Sequence, residues 1–381
     1  MSKNATRTEK LDTVVIGGGQ AGLSAGYYLK KQDRSFVILD SHPRVGDAWR
    51  RRWDSLLLFT PARINGLPGM KMPFSGDTFI KKDEIADFLE SYARNFDLPV
   101  MTSTRVERLA KNGERFVVET SKATFEAQNV IVAMANFQKP RIPAFASELD
   151  ADIFQVHSHD YRNADQLKDG GVLVVGLGNS GADIGLEVAQ SHPTWIAGKE
   201  TATVPFRIET FIARHLLIRM VRFVGHHVLT IRTPIGRKIR PKFMASGNPL
   251  VRVKPRDLTD AGATRVGRIA GVRNGLPVTE DGEALDVKNV VWCTGYGPGF
   301  YWIDIPIFGA NQEPDHKAGI VEKIPGLYFL GLKFMYSATS DTVTGVQRDA
   351  RRITRHLRAN RPKWATGTSS LKSALEKSPV K

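Results

Sequence analysis

Gly17, Gly19, Gly22 and Gly26 recur, at the same mutual spacing, as Gly176, Gly178, Gly181 and Gly185. Glycines so placed between an apolar run and a helical pattern handle phosphates. The first permits a tight bend, the second lets a pyrophosphate approach the backbone, and the third and fourth let a helix pack closely on a strand. The N–H groups that open each helix, at Gln20 and Ala21 and again at Asn179 and Ser180, then face the anion. For one copy alone, a Gly-rich turn with no ligand is an equally plain reading. Repetition of the whole unit predicts two dinucleotide sites.

The copies differ in one informative place. Asp40 follows the first glycine at the distance by which Lys199 follows Gly176. A carboxylate there hydrogen-bonds a free ribose, whereas a base accommodates a 2′-phosphate. The first site therefore suits FAD or NAD and the second NADPH, with a solvated surface lysine as the competing reading of Lys199. After Asp40 a long aperiodic segment carries Gly46, Trp49, Arg50, Arg51, Arg52 and Trp53. An isolated Trp is usually core, but beside a nucleotide unit these favour contact with a cofactor ring or phosphate. No Ser-His-Asp set, metal-ligand cluster or carboxylate pair is spaced for chemistry, and His157 and His159 read as structural.

The positioning elements are an α/β alternation. Strands at Val14–Ile16 and Phe36–Leu39 flank the first helix, which runs to Lys30; Gly171 to Gln190 and a strand at Thr194–Ala197 form the second unit. Between them the spacing predicts a helix over Lys82–Phe96, strands near Val106, at Phe116–Val118, Thr124–Phe125 and Val130–Ala133, and a connection over Asn136–Asp160 stiffened by prolines. Later strands fall within Asp286–Tyr296 and Pro325–Leu332. A last helix starts near Ser340 or Asp341 with Val343, Val346 and Ala350 at apolar spacing. The expected domains are 11–140 with 286–360 for the first nucleotide and 160–285 for the second, the second nested within the first. Residues 1–10 and 361–381 read as disordered tails.

Length and composition fit this plan. The 381 residues, 41% hydrophobic and 24% charged, suit about two soluble domains. A single cysteine, Cys293, excludes an internal disulfide and suits a reducing compartment. The polar MSKNATRTEK start has no signal-peptide core, and no apolar run approaches a membrane span, so a cytoplasmic location is expected. Most of the net charge of +15 comes from 207–256, where twelve Lys or Arg residues meet one acid, Glu209. His215, Arg219, Arg222 and His226 fall on one face of a helix there, among many apolar residues. This basic amphipathic insertion reads as a lid over an apolar pocket, as peripheral contact with an anionic membrane, or as a charged face over ordinary core. Without a nucleic-acid motif, the charge does not indicate that partner. Oligomeric state is not specified.

Together these residues resemble the class B flavin-dependent monooxygenases, in particular the flavin-containing monooxygenases, the plant YUCCA enzymes and bacterial CzcO-type flavoproteins. The resemblance spans nearly the whole chain apart from its tails. It implies two Rossmann-like domains, with FAD on the first turn and NADPH on the second. Gly46 and Trp49 occupy the family's G-x-x-W position beside FAD, Val106 falls on the strand that meets the adenine, and Cys293 to Tyr296, with Gly295, match its A-T-G-Y. Ala133, Gly331 and Val346 are further expected cofactor-binding residues. Of the linker signature F-x-G-x-x-x-H-x-x-x-Y only His157 and Tyr161 survive, with Ala151 and Ile153 where Phe and Gly are expected. Ala133, Met134 and Ala135 replace the first A-T-G. The implied activity is NADPH-driven insertion of one oxygen from O2 into a small soft nucleophile, nitrogen, sulfur or activated carbonyl, through a peroxyflavin. Phe59, Trp53 and the helix after Phe211 would exclude water, and Thr60 is the candidate polar group at the reacting carbon. Two alternatives keep the cofactors: a reductase passing electrons to a quinone or protein, and a redox-sensing protein docked on a membrane transporter.

Overall fold

A computed structural model describes residues 8–199, 201–245 and 247–360. Strand Thr8–Ile16 is the centre of the first sheet because its apolar end, Val14 and Val15, is buried on both faces. It pairs in parallel with Phe36–Leu39 on one side and Thr124–Val132 on the other, so that Ile16 faces both Leu39 and Val132. Val100–Met101 extends the sheet beyond Phe36–Leu39, and Leu327–Phe329 extends it beyond Thr124–Val132. Parallel strands covered on both faces are expected to be apolar, and where these pair at the buried centre, over 14–16, 36–39, 130–132 and 327–329, they are. The first half of Thr124–Val132 also carries an antiparallel meander of Arg115–Thr120 and Val106–Asn112.

A second, wholly parallel sheet has the order Phe154–His157, Asn289–Trp292, Val172–Val175, Thr194–Ala197, Thr264–Val266. It lies in the chain between strands of the first sheet, as a nested pair of Rossmann-like units requires. Two sequence-based boundaries need correction. Phe154–His157 precedes residue 160, and Asn289–Trp292 follows 286, yet both belong to the second sheet. A buried parallel strand has the same apolar pattern in either sheet; only its ladder partner distinguishes them. The chain crosses between sheets where Lys139–Pro140 pairs antiparallel with Tyr296–Gly297. The expected N-terminal tail is also too long: Thr8, Glu9 and Lys10 pair with Thr124, Phe125 and Glu126, so ladder hydrogen bonds order them despite their polarity. The rest of that segment and 361–381 lie outside the described residues.

The basic insertion is a helix in three successive pieces, Ala213–Leu217, Ile218–Phe223 and Val224–Val228, followed by Pro234–Ala245. The outer two pieces are π-helical, and their wider turns shift the register away from the 3.6-residue repeat. The expected basic face does not form. His226 is buried and His215 is half-buried, while Phe211, Leu216 and Phe223 point to solvent. No described helix is long and apolar enough to cross a membrane.

Candidate functional site

Gly17 has a φ of 110°, and a Cβ there would lie 2.9 Å from the Ala133 carbonyl oxygen. Ala133 is itself held by a 2.7 Å bond from its N–H to the Ile16 carbonyl. A methyl at Gly22 would overlap the Gly17 carbonyl oxygen, and one at Gly26 would lie 2.7 Å from Ile38 Cδ1. Gly19 differs: nothing lies within 4 Å of its Cβ position, so the backbone there is open to an incoming group. Helix Gln20–Lys30 begins at Gly19 with no side-chain cap, leaving the first-turn N–H groups available to an anion. This open cradle fits a pyrophosphate.

The second turn repeats the first in detail. Gly176 has a φ of 108°, a methyl at Gly181 would overlap the Gly176 carbonyl oxygen, and a Cβ at Gly185 would lie 2.8 Å from Ile196 Cδ1. Gly178 has open space around it, and helix Asn179–Val188 lacks a side-chain cap. Asn179 is not free to contact a ligand through its side chain. Its amide donates to the Pro249 carbonyl at 3.0 Å and its oxygen accepts from the Val251 N–H at 3.2 Å. What it offers an anion is its backbone, as does half-buried Ser180 in the same turn.

Asp40 and Lys199, the two residues expected at the ribose ends, are held differently. Asp40 Oδ2 accepts from the Gly18 N–H at 2.7 Å, and Oδ1 accepts from the His42 N–H at 2.8 Å. The carboxylate is thereby fixed at the lip of the first turn. Thr104 donates its N–H to the Asp40 carbonyl at 2.7 Å, which brings the start of strand Val106–Asn112 to the same end of the site. Lys199 is exposed at the rim of the second turn. Its loop is pressed there by Gly198, whose Cβ position is 3.1 Å from Leu177 N, and by the Thr201 hydroxyl, which donates to the Leu177 carbonyl. Arg265, which the sequence reading did not single out, donates to the Gly198 carbonyl at 3.0 Å. Its strand adjoins Thr194–Ala197 only in the folded sheet, so spacing carried no signal for it.

Three further segments converge on the first turn. Gly46, with a φ of 91° and Ala86 against its Cβ position, starts the short helix Asp47–Arg50, and Trp49 Nε1 donates to Gln20 Oε1 at 3.3 Å. Gly331, with a φ of 82°, follows the last strand, and a Cβ there would lie 3.3 Å from Ala21 Cβ. The C-terminal helix Val343–Ala359 begins two or three residues later than expected, capped by Thr342. Val346 is buried in its first turns and lines the core. The Trp53 indole N–H is buried with no acceptor in the protein, as expected where a bound acceptor completes the site.

Thr60 lies on strand Leu57–Pro61, but its hydroxyl donates to Asn65 Oδ1 at 2.8 Å. That commitment leaves Thr60 an acceptor rather than a proton donor toward a reacting centre. The hairpin it belongs to is tied to the C-terminal helix by Gln347, whose amide donates to the Gly66 carbonyl at 2.6 Å. The insertion roofs this hairpin. Ile208 and Ile218 pack with Ile64 and Phe79, and His215 Nε2 accepts from Arg63 at 3.2 Å. At its far end His226 Nδ1 meets the Thr339 hydroxyl at 2.6 Å, and the Ile231 N–H donates to the Tyr336 carbonyl at 3.0 Å.

Gly295 sits at the crossing between the sheets. Its carbonyl accepts from the Arg141 N–H at 3.0 Å and from His157 Nε2 at 3.1 Å. His157 Nδ1 in turn accepts from the His159 N–H, which assigns the proton to Nε2. Burial lowers the pKa of both histidines, as suits structural imidazoles. Buried Tyr161 donates to Glu187 Oε1 at 2.7 Å, and the Ser55 hydroxyl donates to the other oxygen. Glu187 thus joins the surviving linker Tyr to the loop after the first turn. Cys293 is no nucleophile: burial pushes its thiol up to about 12. Among the described residues no cluster could hold a metal.

Burial raises Asp341, at the start of the C-terminal helix, to about 6. The native state therefore holds this proton up to about pH 6, while an unfolded Asp releases it near 3.8. The associated stability is present below that window and lost as pH rises through it. Asp341→Asn is expected to raise the thermal midpoint by about 1–3 °C at pH 8 and to leave it unchanged at pH 4. Paired melts at those two pH values check this.

A family model described as pyridine nucleotide-disulphide oxidoreductase matches residues 14–202. An uncharacterised CzcO-like oxidoreductase of Geobacillus kaustophilus is 36% identical over 343 residues, covering 89% of this chain and 96% of that protein. The indole-3-pyruvate monooxygenase YUCCA1 of Oryza sativa subsp. japonica is 26% identical, over 74% of this chain and 76% of its own. A solved flavin-containing monooxygenase from Stenotrophomonas maltophilia superposes with a TM-score of 0.73 at 27% identity, covering 92% of this chain and 99% of that one. This chain belongs to the class B flavin-dependent monooxygenase family and is a flavoprotein oxidoreductase whose cofactors are FAD and NADPH.

Proposed function

We propose that the first glycine turn seats FAD, that the second seats NADPH, and that the enzyme inserts one atom of O2 into a small soft nucleophile, at nitrogen, sulfur or an activated carbonyl. The observation that carries the oxygenase reading is the roof. The insertion runs from the Leu57–Pro61 hairpin to the residues before the C-terminal helix, so one element closes both sides of the flavin end. Bound flavin supplies the redox chemistry, taking a hydride from NADPH and activating O2. The balance is NADPH, a proton, O2 and substrate giving NADP+, water and oxygenated substrate. The protein's part is to bind, orient and exclude water. Gly19 and Asp40 fix the pyrophosphate and ribose ends, and Trp49 and Gly46 close on the same turn. The N-terminus of the C-terminal helix, capped by Thr342, would add its partial positive charge on the flavin side.

Lys199→Glu is expected to raise the KM for NADPH about 10–100-fold while changing that for NADH less than about threefold, since only the former carries the 2′-phosphate. Steady-state kinetics with both nucleotides test it; equal losses would show that Lys199 does not read that phosphate.

The function itself is tested by mixing the flavin-loaded protein with NADPH and O2 and screening amines, sulfides and ketones. The oxygenase reading expects a substrate that turns peroxide release into matched consumption of NADPH and O2 with an oxygenated product. Electron delivery to a quinone with no oxygenated product would make it a reductase. Failure to oxidise NADPH at all would leave a sensor.

A further inference from the structure

We infer that the outward face of the insertion helix seats the protein on an anionic phospholipid bilayer. Ile212, Leu216, Met220 and Phe223 follow one another at intervals of four, four and three residues, and all four are exposed. With Phe211 they make a continuous apolar stripe: Phe211 is 75% accessible, Leu216 62% and Phe223 60%. A single exposed apolar residue needs no explanation, but a stripe of large ones on one helix face does.

The stripe is not an unfinished core. The same helix already buries Ala213, Ile218, Gly225 and His226 against the first domain and the segment before the C-terminal helix. Its outward apolar residues are therefore surplus to folding. The chemistry around them selects the occupant. Residues 207–256 carry twelve cations and one acid; Arg219 borders the stripe, and Arg237 and Lys238 are exposed on the next helix, beside Ile235 and Ile239. A second copy would bring cation onto cation across a symmetric contact, which opposes association. An anionic bilayer satisfies both features: headgroups meet the cations while aromatic and aliphatic side chains enter the acyl boundary. Because the helix is too short to span, it lies in the plane of the interface. Its inner face covers the hairpin that carries Thr60, so the seat also sets the substrate end of the molecule beside the bilayer.

Co-sedimentation of the full-length, flavin-loaded protein tests this, with vesicles of phosphatidylcholine alone and of equal parts phosphatidylcholine and phosphatidylglycerol. The protein is expected to pellet with the anionic vesicles only, and less so in high salt. Replacing Phe211, Leu216 and Phe223 together by Ser should lower the partition at least about tenfold. Arg219→Glu with Lys238→Glu should do the same without removing apolar surface. Both variants should keep wild-type flavin content and NADPH oxidation in solution, which separates loss of binding from misfolding. No binding to anionic vesicles, or equal binding by the serine variant, overturns the inference. So does a dimer in gel filtration that the serine variant splits while vesicle binding is absent.

Discussion

Gly22→Ala is expected to give protein that purifies with less than about a tenth of the wild-type FAD. The added methyl overlaps the Gly17 carbonyl oxygen, and that atom belongs to rigid backbone. Gly17 in turn abuts Ala133, with only 2.9 Å from its Cβ position to the Ala133 oxygen, so it has no room to retreat. Helix Gln20–Lys30 must instead lift from the sheet, taking with it the first-turn N–H groups proposed to meet the pyrophosphate. Overpacking of this kind costs about 1–3 kcal/mol, and each 1.4 kcal/mol lost from binding is about tenfold in affinity. The ratio of flavin to protein absorbance in purified samples reads the result. Gly19→Ala is the informative companion: its Cβ meets no protein atom, so the fold should tolerate it and only the ligand should be displaced.

The largest expected loss of stability lies away from both turns. Arg34 and Asp12 form an ion pair at 2.6 Å with side chains 2% and 12% exposed, and Arg34 also donates to the Leu357 carbonyl at 3.2 Å. Here the guanidinium joins the central strand to the end of the C-terminal helix. Removing one partner of such a pair leaves the other charged and desolvated, at a cost of about 3–5 kcal/mol. Arg34→Met is therefore expected to lower the thermal midpoint sharply, and Arg34→Met combined with Asp12→Asn to recover much of the loss. Melts of the flavin-bound protein followed by flavin fluorescence measure both. If the single and double variants melt alike, the pair carries no coupling.

How much of this was legible depends on how local each cause is. A left-handed backbone at Gly17 and Gly176, and a helix packed against each turn, are demands on individual glycines, so spacing alone reveals them. The charge contrast between Asp40 and Lys199 is read by counting. What spacing does not carry is the choice among folded neighbours. Asn289–Trp292 could pair in either sheet, and only its partners Val172–Val175 and Phe154–His157 settle it. Arg265 and the Arg34–Asp12 pair depend on strands and helices distant in sequence. The insertion helix departs from its expected face for another reason. Its π turns break the repeat on which the face assignment relied, and burial of His226 against Thr339 compensates an imidazole that helical periodicity places outside. Burial lowers His226 to about 4, so it makes this contact as a neutral ring.

The central claim is that two copies of one turn divide the cofactors between them, FAD on the first and NADPH on the second. Anaerobic titration of Gly181→Ala tests it most directly, because the methyl overlaps the Gly176 carbonyl oxygen and leaves the first turn untouched. The variant is predicted to purify with full FAD, to be bleached by dithionite, and to need at least about tenfold more NADPH than wild type for bleaching. Bleaching by NADPH at wild-type concentrations, or loss of FAD with the first turn intact, would contradict the account.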